Sequence, residues 1–265
     1  MLVDERPAVA GTPWARVVAV GVVAGLTSGL FGVGGGVILV PALMAVAAFD
    51  PKLATGTSLT AIVPISIAGA AGYATAGEVD WGAAAAIAVG ALGGAIVGTR
   101  LLRRIDPSTL QLLFALALLA TAARMVVETG AGEHSSVALD AAAVVALVAV
   151  GLGSGVLAGL LGVGGGILIV PVLTLAFGLP LPLAKGTSLA VIIPTAILGT
   201  VRNRTAGLTA MAPATTVGLA GVASAFLASQ ISVGLDGRVS SVLFALLLAA
   251  VAVRLVRAAS APPHK

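Results

Sequence analysis

Residues 25–43 read GLTSGLFGVGGGVILVPAL and residues 155–173 read GVLAGLLGVGGGILIVPVL, so one segment occurs twice at a constant offset. From Gly25 to Pro64 and from Gly155 to Pro194 the copies align without a gap and agree at about half of their positions. The register persists to Thr75-Ala76-Gly77 against Thr205-Ala206-Gly207. The chain is therefore two copies of one unit, and its architecture has to be read as a duplication.

Composition names the solvent. Hydrophobic residues make up 59% of the chain and charged residues 9%, with a mean hydropathy of +1.16. A soluble domain carries roughly a quarter of its positions charged, whereas here apolar runs of helix-spanning length follow one another almost without pause. The polar stretches, residues 1–13, 128–136 and the tail after Arg257, are too short to fold alone. With no cysteine, the chain has no disulfide, thiolate nucleophile or sulfur-ligated metal. The net charge of +4 sits at the ends of apolar runs, a pattern that reads as membrane orientation toward anionic headgroups and not as nucleic-acid binding. Arg16 precedes an apolar run as a signal peptide would, but the run recurs in the second copy, where nothing is cleaved.

The apolar segments predict helices over 14–31, 36–49, 55–76, 81–102 and 108–127 in the first half. In the second half they predict helices over 137–161, 166–179, 185–202, 208–230 and 239–256. In each half a GVGGG run alone joins the first two elements, and the second is short for a full crossing. The pair is either a hairpin or one broken helix. With hairpins and a cytoplasmic amino terminus, the inner faces collect Arg6, Arg16, Lys52, Arg100, Arg103, Arg104, Arg202, Arg204, Arg254, Arg257 and Lys265. The outer faces then hold only Arg124, Lys185 and Arg238, so the hairpin is favoured. A hairpin plus three crossings delivers the second copy upside down.

The expected fold is an all-α polytopic membrane protein of two inverted repeats, each a Gly-tipped helical hairpin plus three transmembrane helices, with about 8–10 membrane segments. Its parts are an N-terminal tail (1–13), a first repeat (14–128), an extracytoplasmic linker (129–136), a second repeat (137–257) and a C-terminal tail (258–265). The expected location is the plasma membrane, multi-pass, with both termini cytoplasmic. Inverted repeats interrupted by glycine are the pattern of a secondary transporter.

Gly34, Gly35 and Gly36, with Gly164, Gly165 and Gly166, lie where each bend opens a half-helix, and that terminus offers free N–H groups and the positive end of a dipole to an anion. Three consecutive glycines break a helix further than packing requires, whereas the isolated Gly25-Gly29 and Gly155-Gly159 spacings read as packing contacts. The second paired motif is TGTS at 55–58, answered by KGTS at 185–188. Thr57, Ser58, Thr187 and Ser188 are read as caps of the helices they open, as cavity-facing donors, or as both. Lys185 replaces Thr55 and is read as an anion ligand or as a snorkelling lysine at a helix end. Pro41, Pro64, Pro171 and Pro194 are candidate hinges. No Ser-His-Asp or paired-carboxylate arrangement appears, and His134 and His264 have no metal-ligand spacing, so the reading includes no catalytic residue, metal or cofactor.

The pair GLTSGLFGVGGGVILVPAL with ATGTSL, repeated as GLLGVGGGILIVPVL with AKGTSL, resembles the sulfite exporter TauE/SafE family of membrane permeases over about residues 14–256. The resemblance implies transport of small sulfur-containing anions such as sulfite or organosulfonates. By motif position it puts binding elements on Gly34 to Gly36, Gly164 to Gly166, Thr57, Ser58, Thr187 and Ser188. The expected partners are a small anionic substrate and the lipid bilayer, with no nucleic acid. A homodimer and a coupling proton or sodium ion stay open, and a passive anion channel and a non-transport scaffold are the rival readings.

Overall fold

A chain this apolar satisfies its backbone inside helices, because a bilayer interior offers no water to amide and carbonyl groups. The computed structural model describes residues 14–101, 107–127, 136–161 and 165–259, which form ten helices and no strand. The first half comprises α1 (Trp14–Phe31), α2 (Gly36–Ala47), α3 (Pro51–Thr75), α4 (Trp81–Leu101) and α5 (Pro107–Val127). The second comprises α6 (Ala141–Leu161), α7 (Gly166–Leu175), α8 (Leu181–Thr205), α9 (Met211–Gly234) and α10 (Gly237–Ala259). Outside the described residues lie the tail 1–13, linker residues 129–135, tail residues 260–265, Gly164, His134, His264, and the charge markers Arg6, Arg103, Arg104 and Lys265.

By length and composition, α1, α3, α8, α9 and most of α10 can each cross a bilayer. The protein is a polytopic α-helical membrane protein. Large apolar side chains such as Val89, Val145, Leu219 and Leu246 face outward, the reverse of a soluble surface. The most apolar windows of α3 and α8 are each 67% buried, against 33% in α1 and 39% in α9, so α3 and α8 form the centre.

Packing is reciprocal between the halves. α1 packs on α9 and α6 on α4; α3 packs on α9 and α8 on α4; α3 meets α8, and α5 meets α10. Small residues make these contacts close. Gly21, Gly25 and Gly29 lie against the carbonyls of Val217, Gly221 and Ala225 on α9, where any Cβ would collide. Gly151 and Gly155 on α6 repeat the arrangement against the carbonyls of Ile87 and Ala91 on α4.

The first two helices of each half form hairpins. A Cβ on Gly35 would stand 2.7 Å from the carbonyl oxygen of Ala24, and one on Gly165 would stand 2.9 Å from that of Ser154. Eleven residues of straight helix would instead separate such groups by about 16 Å.

One expectation fails here. The third helix of each half begins four residues earlier than its apolar run suggests, at Pro51 and at Leu181. Asp50 caps α3 by accepting from the amides of Lys52 and Leu53, with Pro51 in the first turn where its missing N–H costs nothing. Residues 55–58 and 185–188 therefore lie inside their helices, and Thr57, Ser58, Thr187 and Ser188 do not cap them.

Gly25→Val is expected to cost about 1–3 kcal/mol by overpacking the α1–α9 contact. Gly234→Ala, with no neighbour in reach, is expected to stay within about 0.5 kcal/mol of the parent. Thermal unfolding of the detergent-purified protein measures both.

Candidate functional site

The two glycine bends share one conformation. Gly35 sits at φ 74, ψ −9 and Gly165 at φ 75, ψ −11, in the left-handed region that glycine enters without penalty. The first backbone bonds of α2 and α7 run back to Gly35 and Gly165, from Ile38 and Leu168. The amides of Gly36 and Val37, and of Gly166 and Ile167, precede them as the open positive ends of their helices.

These ends converge on the second turn of α8. A Cβ on Gly32 would stand 2.6 Å from Lys185 Cα, and one on Gly166 would stand 2.8 Å from the Gly32 carbonyl and 2.9 Å from Ser188 Oγ. Ser188 Oγ donates to the Gly32 carbonyl at 2.8 Å. Ile62 of α3 and Ile192 of α8, equivalent in the repeat, flank Gly34 at 3.4 and 3.2 Å from its Cβ position. The whole first bend, Gly32 to Gly36, is buried, so the structure holds that tip closed.

Breaking α1 at Gly32 leaves carbonyls without helical donors. Hydroxyls from three helices take them: Tyr73 Oη donates to Gly29 at 2.7 Å, Ser232 Oγ to Leu30 at 3.0 Å, and Ser188 Oγ to Gly32. Lys185 joins this network, donating from Nζ to Ser232 Oγ at 2.9 Å and to Ser240 Oγ at 2.6 Å. Its side chain is 1% exposed. The snorkelling reading of Lys185 is therefore overturned: short neighbours on α9 and α10 and the negative end of α1 hold the ammonium inside the bundle. Among the described residues its partners are these two hydroxyls and no carboxylate.

Thr57 and Thr187 act across the halves. Thr57 Oγ1 accepts from the amide of Ala210 at 3.0 Å, and Thr187 Oγ1 accepts from that of Asp80 at 2.9 Å. Each threonine thus receives the residue that starts the other half's fourth helix. The glycine before it is required as well, because a Cβ on Gly56 would collide with the Leu208 carbonyl and one on Gly186 with that of Glu78. Both visiting loops are Schellman turns, with Glu78 N bonded to Tyr73 O and Leu208 N to Asn203 O around the left-handed Gly77 and Gly207. Partial burial there raises the Glu78 carboxyl above its ordinary value.

The structure thus brings Gly34, Gly35, Gly36, Gly165, Gly166, Lys185 and Ser188 to one place, while Thr57 and Thr187 hold the neighbouring loops; Ser58 is buried in the same turn of α3 as Thr57. Pro41, Pro64, Pro171 and Pro194 each lie inside a helix. Sequence reasoning passed over Tyr73, Ser232, Ser240, Ser28 and Ser66. The last two are fully buried, and their hydroxyls have no hydrogen-bond partner. Ser28 lies one turn before Gly32, and Ser66 one turn beyond Ile62. A signal existed, since the second copy has Ala158 and Ala196 at these places.

The family described as sulfite exporter TauE/SafE matches residues 2–125 and 146–265, one stretch on each copy. The chain belongs to the sulfite exporter TauE/SafE family. Curated proteins similar to it include the probable membrane transporter protein YunE of Bacillus subtilis, 32% identical over 42% of this chain and 41% of that protein. A probable membrane transporter protein of Xylella fastidiosa (strain Temecula1) is 34% identical over 62% of this chain and 64% of its own length. A third, from Methanocaldococcus jannaschii, is 31% identical over 71% of this chain and 72% of its own length. The chain spans less than two thirds of the first two. No solved structure matches it. In this TauE/SafE chain the paired GTS motifs join the halves.

Thr187→Val is expected to leave the Asp80 amide unsatisfied and to cost about 1–3 kcal/mol, whereas Thr187→Ser retains the acceptor and most of the stability. Comparing the two variants' unfolding temperatures tests the assignment.

Proposed function

We infer that this chain is a secondary transporter moving a small anion across the plasma membrane by alternating access, with sulfite or an organosulfonate-type sulfur compound as cargo. One observation carries the reading. Among the described residues, the buried polar side-chain groups of the bundle are serine, threonine and tyrosine hydroxyls and a single ammonium, with no carboxylate. Such an interior repels cations and offers an anion Lys185, the hydroxyls of Ser28 and Ser66, and two helix N-termini. A buried ammonium without a counter-ion is costly, and an arriving anion relieves that cost.

Family membership supports transport as the activity and sulfur oxyanions as the first cargo to test. The reciprocal packing of the halves supports two repeats, 14–128 and 137–257, and the Lys and Arg distribution along the sequence supports opposed orientation with cytoplasmic termini, so that rocking one half against the other exposes the tips alternately. The closed first tip favours a carrier over an open channel. Access to it requires Ile62 and Ile192 to part, and the prolines inside α3 and α8 are the places where those helices yield most easily.

Proteoliposomes loaded with sulfite are expected to show saturable flux or exchange, and Lys185→Met is expected to reduce it by at least about tenfold, a loss of 1.4 kcal/mol or more. The unfolding temperature without substrate should stay level or rise, because an apolar side chain removes an unpaired buried charge. Undiminished flux in a folded Lys185→Met protein would exclude the ammonium as a ligand. Non-saturating conductance would favour a channel.

A further inference from the structure

Away from the glycine tips, a cavity of about 310 Å³ opens between α3, α8 and α9. Its walls are Thr60, Val63 and Pro64 on α3, Ile197, Thr200 and Val201 on α8, and Ala214, Thr215 and Leu219 on α9. Ile197, Val201 and Leu219 are 46%, 55% and 70% exposed, so the groove faces the surroundings of the bundle, where the lipid lies. Thr60 and Thr215 turn their hydroxyls to their own helix carbonyls and present methyl groups instead.

Thr200 differs. Its Oγ1 is buried and has no hydrogen-bond partner. On α8 the lining residues Ile197, Thr200 and Val201 fall at helical spacing, and the next residue on that stripe is Arg204. Arg204 is exposed and its guanidinium forms no hydrogen bond or ion pair among the described residues, whereas that of its neighbour Arg202 donates to the Ala95 carbonyl at 3.0 Å. Residues 206–210 lead from the end of α8 to the start of α9, where the first backbone bond runs from Ala214 to Ala210. Along α8 the order is apolar wall, a hydroxyl buried beneath it, then an exposed cation at the helix end. Thr200 and Arg204 are about 6 Å apart along the axis.

We propose that this groove binds one anionic phospholipid of the leaflet at which α8 ends, with an acyl chain against Ile197, Val63 and Leu219 and the phosphate at Arg204. Charge complementarity selects the occupant: an apolar slot alone accepts any acyl chain, but one whose α8 wall ends in an unpaired guanidinium prefers a negative headgroup. The duplication supplies a built-in contrast. At the equivalent places on α3 stand Ile67, Ala70, Ala71 and Ala74, which have neither hydroxyl nor cation. The site therefore belongs to one half and one leaflet.

Native mass spectrometry of the delipidated protein with phosphatidylglycerol or phosphatidylcholine tests this. The expected result is a phosphatidylglycerol adduct favoured about fivefold, the weight of one basic residue near an anionic surface. Arg204→Ala should remove the preference, Val201→Trp should remove the adduct by filling the slot, and Arg257→Ala, on another helix, should change neither. Equal binding of the two lipids, a preference that survives Arg204→Ala, or displacement of the adduct by soluble glycerol phosphate would overturn the proposal. Should Val201→Trp fail to fold, the exposed Arg204→Ala variant decides the question alone.

Discussion

A helix that stops inside an apolar bundle leaves carbonyls that water cannot reach, and the rest of this structure is organised around supplying them with donors. α1 ends at Phe31 within the bundle, and the carbonyls of Gly29, Leu30 and Gly32 are met by Tyr73, Ser232 and Ser188 from α3, α9 and α8. Each unmet group would cost several kcal/mol in such surroundings. Three helices from both halves are thereby tied to one bend. Lys185 is drawn into the same network through Ser232, so the buried positive charge is a consequence of how the break is repaired as well as a feature of the site.

The same constraint explains why the halves cannot be separate domains. The fourth helix of each half starts on a threonine of the other, at Ala210 on Thr57 and at Asp80 on Thr187. Each loop also presses a carbonyl into the gap left by Gly56 or Gly186. Glycine gives the backbone room to approach and the hydroxyl gives the incoming amide its acceptor, so the GT pair works as one fitting made twice. Because both copies of the fitting connect opposite halves, a movement of one half loads the two joints together.

Much of this was legible in the sequence. The duplication and the helical membrane class follow from the repeat offset and the hydropathy, and the glycine-tipped hairpin from GVGGG together with the placing of Lys and Arg, because backbone breaks, apolar length and flanking charge leave direct marks on the sequence. The start of α3 was hidden because Asp50-Pro51, a good capping pair, lies outside the apolar run of that helix. The depth of Lys185 was hidden for a different reason: periodicity gives a residue's position on its own helix but not which neighbours close over it. Ser232 and Ser240, which enclose it, lie far along the chain on α9 and α10. The receiving role of Thr57 and Thr187 was equally out of reach, since their partners belong to loops of the other half.

An internal duplication supplies its own control, and the pattern of agreement and divergence between the copies has physical content. Identical pairs, Gly35 with Gly165, Gly56 with Gly186, Thr57 with Thr187 and Ile62 with Ile192, occupy matching places in the two halves and perform steric or hydrogen-bonding tasks that a two-fold arrangement needs done twice. Divergent pairs are of another kind. Lys185 stands against Thr55, Ser28 against Ala158, Ser66 against Ala196, Tyr73 against Asn203, and Arg204 against Ala74. Each gives the two halves a different charge or hydrogen-bonding group at the same place. Two identical halves would carry the same chemistry at both of each pair of places, so any chemical difference between the halves has to reside in residues of this second kind.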